Sequence, residues 1–138
     1  MKRGFTLIEL LFVLGVLAIL AALTIPSIRG IQDESRLARI QADLAVLQSA
    51  TEAYRNRFGT WPSEADYQKE LIEKTGIFTN RLIDPLTKEE YIFRSVGRYY
   101  AVLSPGLNRE INTVLDFNAG TFTAVADDLI VTNLRELK

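Results

Sequence analysis

The sequence predicts an α+β fold: one long N-terminal helix, a membrane half and then an amphipathic half, packed on a small C-terminal antiparallel β-sheet. Three observations predict it. Phe5 to Ile25 form an apolar run of 21 residues with a single charge, Glu9. Leu37, Ile40, Leu44, Leu47, Thr51, Tyr54 and Phe58 then recur at alternating steps of three and four, the spacing of one helix face. The last third holds short β-branched and aromatic runs separated by glycine-bearing turns.

At about 1.5 Å per residue the apolar run makes a helix of roughly 31 Å, close to the ~30 Å hydrocarbon thickness of a bilayer. Lys2 and Arg3 precede it, which keeps the short N-terminus cytoplasmic and sends everything after Pro26 across the membrane. A cleaved secretory signal fits poorly, because the run is long and Ala18, Ala21 and Ala22 offer no A-x-A pair. A processing site ahead of the run, at Gly4-Phe5, fits better, since glycine lets a protease close on extended backbone.

Glu9 admits two readings. A carboxylate costs about 2.5–3.5 kcal/mol at the bilayer centre and usually marks a partner. If the chain is cut after Gly4, the new ammonium of Phe5 on another subunit supplies one. The plainer alternative puts Glu9 in the first helical turn, favoured by the helix dipole and reaching the headgroups.

Beyond Pro26 the helix is expected to continue to Phe58, a total of roughly 80 Å. The large stripe from Leu37 to Phe58 is expected to pack on the C-terminal domain. A neighbouring line, Ile28, Ile31, Ser35, Ala38, Ala42, Ala45 and Ser49, carries mostly small residues and suits core packing and helix–helix packing equally. Arg29-Asp33 and Arg39-Asp43 are i,i+4 pairs on the wet side. Arg55 and Arg57 complement the negative helix end, and Gly59 is a natural residue just past it. Gly15 and Pro26 bracket a section of weak helix propensity, where the helix is expected to break.

Residues 59–89 read as a connecting region. Gly59-Thr60-Trp61-Pro62 stops the long helix, and Ser63-x-x-Asp66 is a weak capping box for a helix to about Lys74 that Gly76 ends. Trp61 reads as a packing anchor under this loop. Tyr91–Val96 and Arg98–Leu103 are strand-like around Gly97, and Ile111–Phe117 and Thr121–Ala126 flank the loop Asn118-Ala119-Gly120. The domains expected are therefore a leader, 1–4; an apolar helical half, 5–26; an amphipathic half, 27–58; and a globular domain, 59–138, whose sheet occupies 90–138.

Composition narrows the chemistry. The formal charge is −1; without Lys2 and Arg3 the balance of 16 − 17 becomes 14 − 17, or −3, which gives no reason to expect nucleic acid as a partner. The chain has no cysteine and no histidine, so disulfides, thiolate metal sites and the usual general base are missing. No catalytic constellation stands out among the carboxylates, lysines and tyrosines, and the chain reads as not an enzyme.

Gly4-Phe5-Thr6-Leu7-Ile8-Glu9, with the basic residues before it and Pro26 behind the apolar run, resembles the prepilin signal of type IV pilins and type II secretion pseudopilins. The resemblance implies cleavage between Gly4 and Phe5 by prepilin peptidase, N-methylation of Phe5, and a role for Glu9 in docking subunits into a filament. It further implies residence in the bacterial inner membrane before assembly, single pass with the C-terminal domain periplasmic, and a periplasmic filament afterwards. The partners implied are other copies of the chain, the lipid bilayer, the assembly platform and minor pseudopilins.

The similarity to the major pseudopilins of type II secretion continues through Asp84-Pro85 and Tyr91-Ile92-Phe93, then Leu103-Ser104-Pro105-Gly106 and Asp127-Asp128. The last two resemble the edges of that family's calcium-binding loop. This implies calcium held by the carboxylates of Asp127 and Asp128 and the carbonyls of Leu103 and Ser104. Asn108 stands where an aspartate would suit the ion better, Arg109 follows where small residues would be expected, and Ile111–Val125 separates the two halves. The alternative is a solvated turn ahead of Leu129-Ile130-Val131.

The functional expectation is a structural subunit of a type II secretion pseudopilus. A type IV pilin or competence pseudopilin for adhesion, motility or DNA uptake is the nearest alternative. From another class, a single-span anchored periplasmic enzyme or binding module would tolerate loss of Glu9.

Overall fold

The computed structural model describes residues 5–125 and 127–137, with the side chains of 24–29 outside the description. The chain divides into two compact units between Ser35 and Arg36. One helix, α1 (Leu7–Phe58), is assigned without interruption through both.

In the first unit α1 opens on Thr6 and turns its apolar side chains to solvent on every side. Leu7 is 82% exposed, Phe12 72% and Leu23 69%. A soluble domain rarely leaves so much contiguous apolar surface uncovered. Among the described residues no helix is long and apolar enough to cross a membrane; the apolar stretch with described side chains ends at Leu23. The break expected at Pro26, and Arg29 of the Arg29-Asp33 pair, fall where side chains lie outside the description, while the backbone there is helical.

In the second unit the stripe of α1 does what its spacing predicts. Ile40, Leu44, Leu47, Thr51 and Tyr54 are buried, and Leu37 packs on the edge of the same cluster. Thr51, the one polar member, has a buried hydroxyl with no hydrogen-bond partner. Phe58 departs from the pattern: it is 43% exposed and its ring lies tilted against Tyr54, centroids 4.7 Å apart. The small-residue line is exposed at Ser35, Ala38, Ala42, Ala45 and Ser49, so these residues are not part of the core. Ala50, a residue of neither line, is fully buried.

Gly59, at φ +75°, ends α1 and donates its N–H to the Arg55 carbonyl at 2.8 Å. The connecting helix, α2 (Tyr67–Thr75), begins later than expected, with Asp66 at the N-cap and no side-chain cap bond. The capping box at Ser63 therefore does not form; Asp66 instead meets Arg81 at 3.9 Å. Gly76 closes α2 in the left-handed conformation, as its position predicts. Trp61 is half-buried against the core, its indole N–H donating to the Gly97 carbonyl at 3.1 Å and its ring 4.7 Å from Tyr100.

The architecture is α+β, with two three-stranded sheets in place of the single sheet expected. The first contains β1 (Ile92–Val96), β2 (Tyr99–Ser104) and, across a later crossover, β5 (Leu129–Thr132), in the order β1-β2-β5 and antiparallel throughout. Tyr100 to Ser104 of the central strand are all buried. Tyr100, Val102 and Phe93 meet the α1 stripe in one core with Tyr67 and Leu71 of α2. The second sheet contains β3 (Val114–Asp116), β4 (Thr121–Thr123) and β6 (Arg135–Glu136), and its β4-β6 pair is parallel. A strand of two charged residues has no periodicity to betray it, so the sequence gives no sign of β6. The β3-β4 loop closes on Gly120 at φ +72°, packed so tightly beneath the Tyr99 ring that a Cβ would lie 2.3 Å from the tyrosine oxygen.

Candidate functional site

The residues of functional interest fall in two places, and each is described within its own unit. At the N-terminal end, Thr6 and Glu9 form a reciprocal capping box. The Thr6 N–H donates to Glu9 Oε2 at 3.0 Å and its hydroxyl donates to the same oxygen at 2.7 Å. The Glu9 N–H returns a longer bond to Thr6 Oγ1 at 3.4 Å. T-x-x-E is the capping sequence, and the arrangement satisfies two of the amides that a helix start leaves without partners. The carboxylate is thus held by its own chain, beside a shallow groove lined by Phe5, Ile8, Phe12 and Val13. Phe5 itself is 76% exposed. Gly4, the other half of the expected cleavage site, lies outside the described residues.

The second place is the turn region around β2. Asp84 is 1% exposed. Its Oδ1 accepts from the N–H of Leu86 at 2.7 Å and of Thr87 at 3.4 Å, and its Oδ2 accepts from the Ser104 hydroxyl. Its backbone closes the same turn, the Lys88 N–H donating to its carbonyl and its own N–H to that of Glu89, both at 2.9 Å. A buried carboxylate needs such donors, and here the Asp-Pro turn and the end of β2 supply them. Ser104 is thereby turned towards Asp84. Leu103 lies opposite Ile92 on one side and Ile130 on the other, inside the ladder.

Asp127 and Asp128 sit just before β5 and engage the loop that follows β2. Asp127 Oδ2 accepts from the Asn108 N–H at 2.8 Å. Gly106, at φ +66°, lies against the Asp127 carbonyl, where a Cβ would approach to 2.2 Å. Asp128 Oδ2 accepts from the N–H groups of Asn112 at 2.7 Å and Thr113 at 2.6 Å. Asn108 Oδ1 is turned outward to accept from Glu110 N–H at 2.8 Å. The structure therefore brings Asn108 to Asp127 but spreads Asp128, Ser104 and Leu103 over other partners. Asp128 Oδ1 and Thr113 Oγ1 are buried with no hydrogen-bond partner. Among the described residues, no three carboxylate, histidine or cysteine side chains gather as a metal-ligating group.

Sequence reasoning missed the ties between helix and sheet. Tyr91 donates its hydroxyl to Asp43 at 2.9 Å, and Tyr100 donates to Glu52 at 3.0 Å. Asp43 also meets Arg39 at 3.7 Å, the pair the i,i+4 spacing predicts. The only available signal was polar residues placed one step off the apolar stripe.

Comparison with known proteins agrees with the N-terminal geometry. Residues 1–25 match the model of the prokaryotic N-terminal methylation motif. The N-terminus thus carries a prepilin-type methylation motif. Over 115 residues it is 29% identical to the type II secretion system core protein G of Klebsiella michiganensis, covering 80% of each chain. With the core protein G of Aeromonas hydrophila the identity is 28% over 146 residues, 99% of this chain and 96% of that one. The type IV major alpha-pilin of Moraxella bovis is 31% identical over 81 residues, 57% of this chain and 51% of the relative. No solved structure matches the chain.

Proposed function

We propose that the chain is a structural subunit of a type II secretion pseudopilus, without enzymatic activity. In this reading prepilin peptidase cuts between Gly4 and Phe5, and Phe5 is then N-methylated. The apolar half of α1 rests in the inner membrane until subunits leave it and stack through that helix. A contact of this kind is heterologous and does not close, which produces a fibre and not a ring.

The observation that carries the reading is the contrast between the two units. The second buries its own apolar stripe in a complete core. The first leaves Phe5 to Leu23 uncovered around a single carboxylate. Lipid and then neighbouring copies are the partners that such a surface requires. The likeness to core protein G over nearly the whole length supports the pseudopilus in particular.

Glu9 is the residue that assembly needs and folding does not. Glu9→Leu removes the partner of the Phe5 ammonium and leaves the second unit untouched. The expected outcome is loss of filaments, scored by electron microscopy of cells overproducing the subunit, with processing and domain fold retained. Intact filaments in the variant would remove the role given to Glu9 here.

A further inference from the structure

We propose that the loop between β2 and β3 is latched onto Asp127 and Asp128 by backbone amides in place of a cation, so that its closure is independent of calcium. The proposal holds whether or not the chain assembles, because every group in it belongs to the folded unit. Calcium takes six to eight oxygen ligands. Three of the five residues that resemble such a set serve other contacts. Leu103 lies inside the ladder between Ile92 and Ile130, and the Ser104 hydroxyl donates to Asp84 and accepts from the Gly106 N–H. Asn108 offers its Oδ1 to Glu110 and its N–H to Asp127.

What remains are two carboxylates, and three amide donors already face them. Asn108 meets Asp127, while Asn112 and Thr113 share one oxygen of Asp128 at 2.7 and 2.6 Å. These are charge-assisted bonds, the stronger class, and each directs the positive end of an N–H dipole at the carboxylate as a cation would. Arg109, at φ +62° in the same loop, adds positive charge where a divalent ion would need none.

The sequence carries the same substitution. Where an acidic residue would have served a cation, Asn108 brings a neutral side chain that accepts from the Glu110 N–H. The insert from Ile111 onward delivers the N–H groups of Asn112 and Thr113 to Asp128. Gly106 keeps the loop close, since any side chain there would strike the Asp127 carbonyl.

Arg109 makes the test direct, because it is exposed and trypsin cleaves after arginine once the loop opens. The full chain in detergent micelles would be digested in excess EGTA and in millimolar calcium chloride, following the cut at Arg109 by mass spectrometry. Equal rates in the two conditions are expected. Asp128→Ala should raise the rate roughly tenfold or more in both, the scale of losing hydrogen bonds to a charged group; Asp127→Ala should do so less. Slower cleavage of the wild-type chain in calcium would overturn the proposal. So would an Asp128→Ala chain that keeps its thermal midpoint and its wild-type cleavage rate. Should Asp128→Ala fail to fold, the comparison of EGTA with calcium on the wild-type chain still decides the matter.

Discussion

Tyr91 and Tyr100 each pass a hydroxyl through the core to a carboxylate on α1, and both rings are almost wholly buried. Burial, and then the carboxylate acceptor, push both phenols well above their ordinary value. The folded state therefore favours the neutral phenol more than the unfolded chain does. That preference is intact below the unfolded value of about 10 and is lost as pH rises from there towards the raised folded value. The thermal midpoint of the full chain in detergent should thus hold steady up to about pH 10 and fall steeply above it. Tyr91→Phe should flatten part of that fall and, at neutral pH, cost about 0.5–1.5 kcal/mol for the lost bond to Asp43. A midpoint insensitive to alkali would contradict this account. These tyrosines were visible in the sequence as aromatic strand residues, but their partners were not. A long-range side-chain bond depends on register and crossover, and periodicity encodes neither. The opposite holds at Glu9, whose contacts with Thr6 are made within four residues of the same chain.

At the scale of elements, α1 was the most legible part. A stripe held over six steps of three and four leaves little choice of face, and the core follows it from Ile40 to Tyr54. Leu47→Ala should lower unfolding free energy by about 2–5 kcal/mol. Ala42→Leu, on the exposed small-residue line, should change it by less than about 0.5 kcal/mol. Chemical denaturation of the two variants checks both, and a large loss in Ala42→Leu would place that line in the core. The strands were less legible. β3 and β4 have three residues each and β6 two, too short for alternation to declare a face. Their sheet is joined by a parallel pair between the chain end and β4, a long-range choice that no local pattern announces. The start of α2 was missed for a related reason, since Asp66 pairs with Arg81 and does not cap its own helix.

For the whole molecule, the two units follow from how each treats apolar surface. The second had enough stripe, strand and turn residues to enclose a core, and the sequence announced this. The first leaves its large apolar side chains from Phe5 to Leu23 exposed, and its meaning rests on what surrounds it. The apolar run and its carboxylate are legible because they act locally, through an exposed face and a helix cap. The turn around Asp84, Asp127 and Asp128 was legible only as a likeness, because the direction in which each oxygen points is fixed by the strands it borders. The central claim, that the N-terminal end is processed for assembly, is tested most directly by the intact mass of the protein extracted from the membranes of its own host. The account predicts a chain beginning at Phe5 and carrying one added methyl group. An uncut chain, or one cut near Ala22, would contradict it.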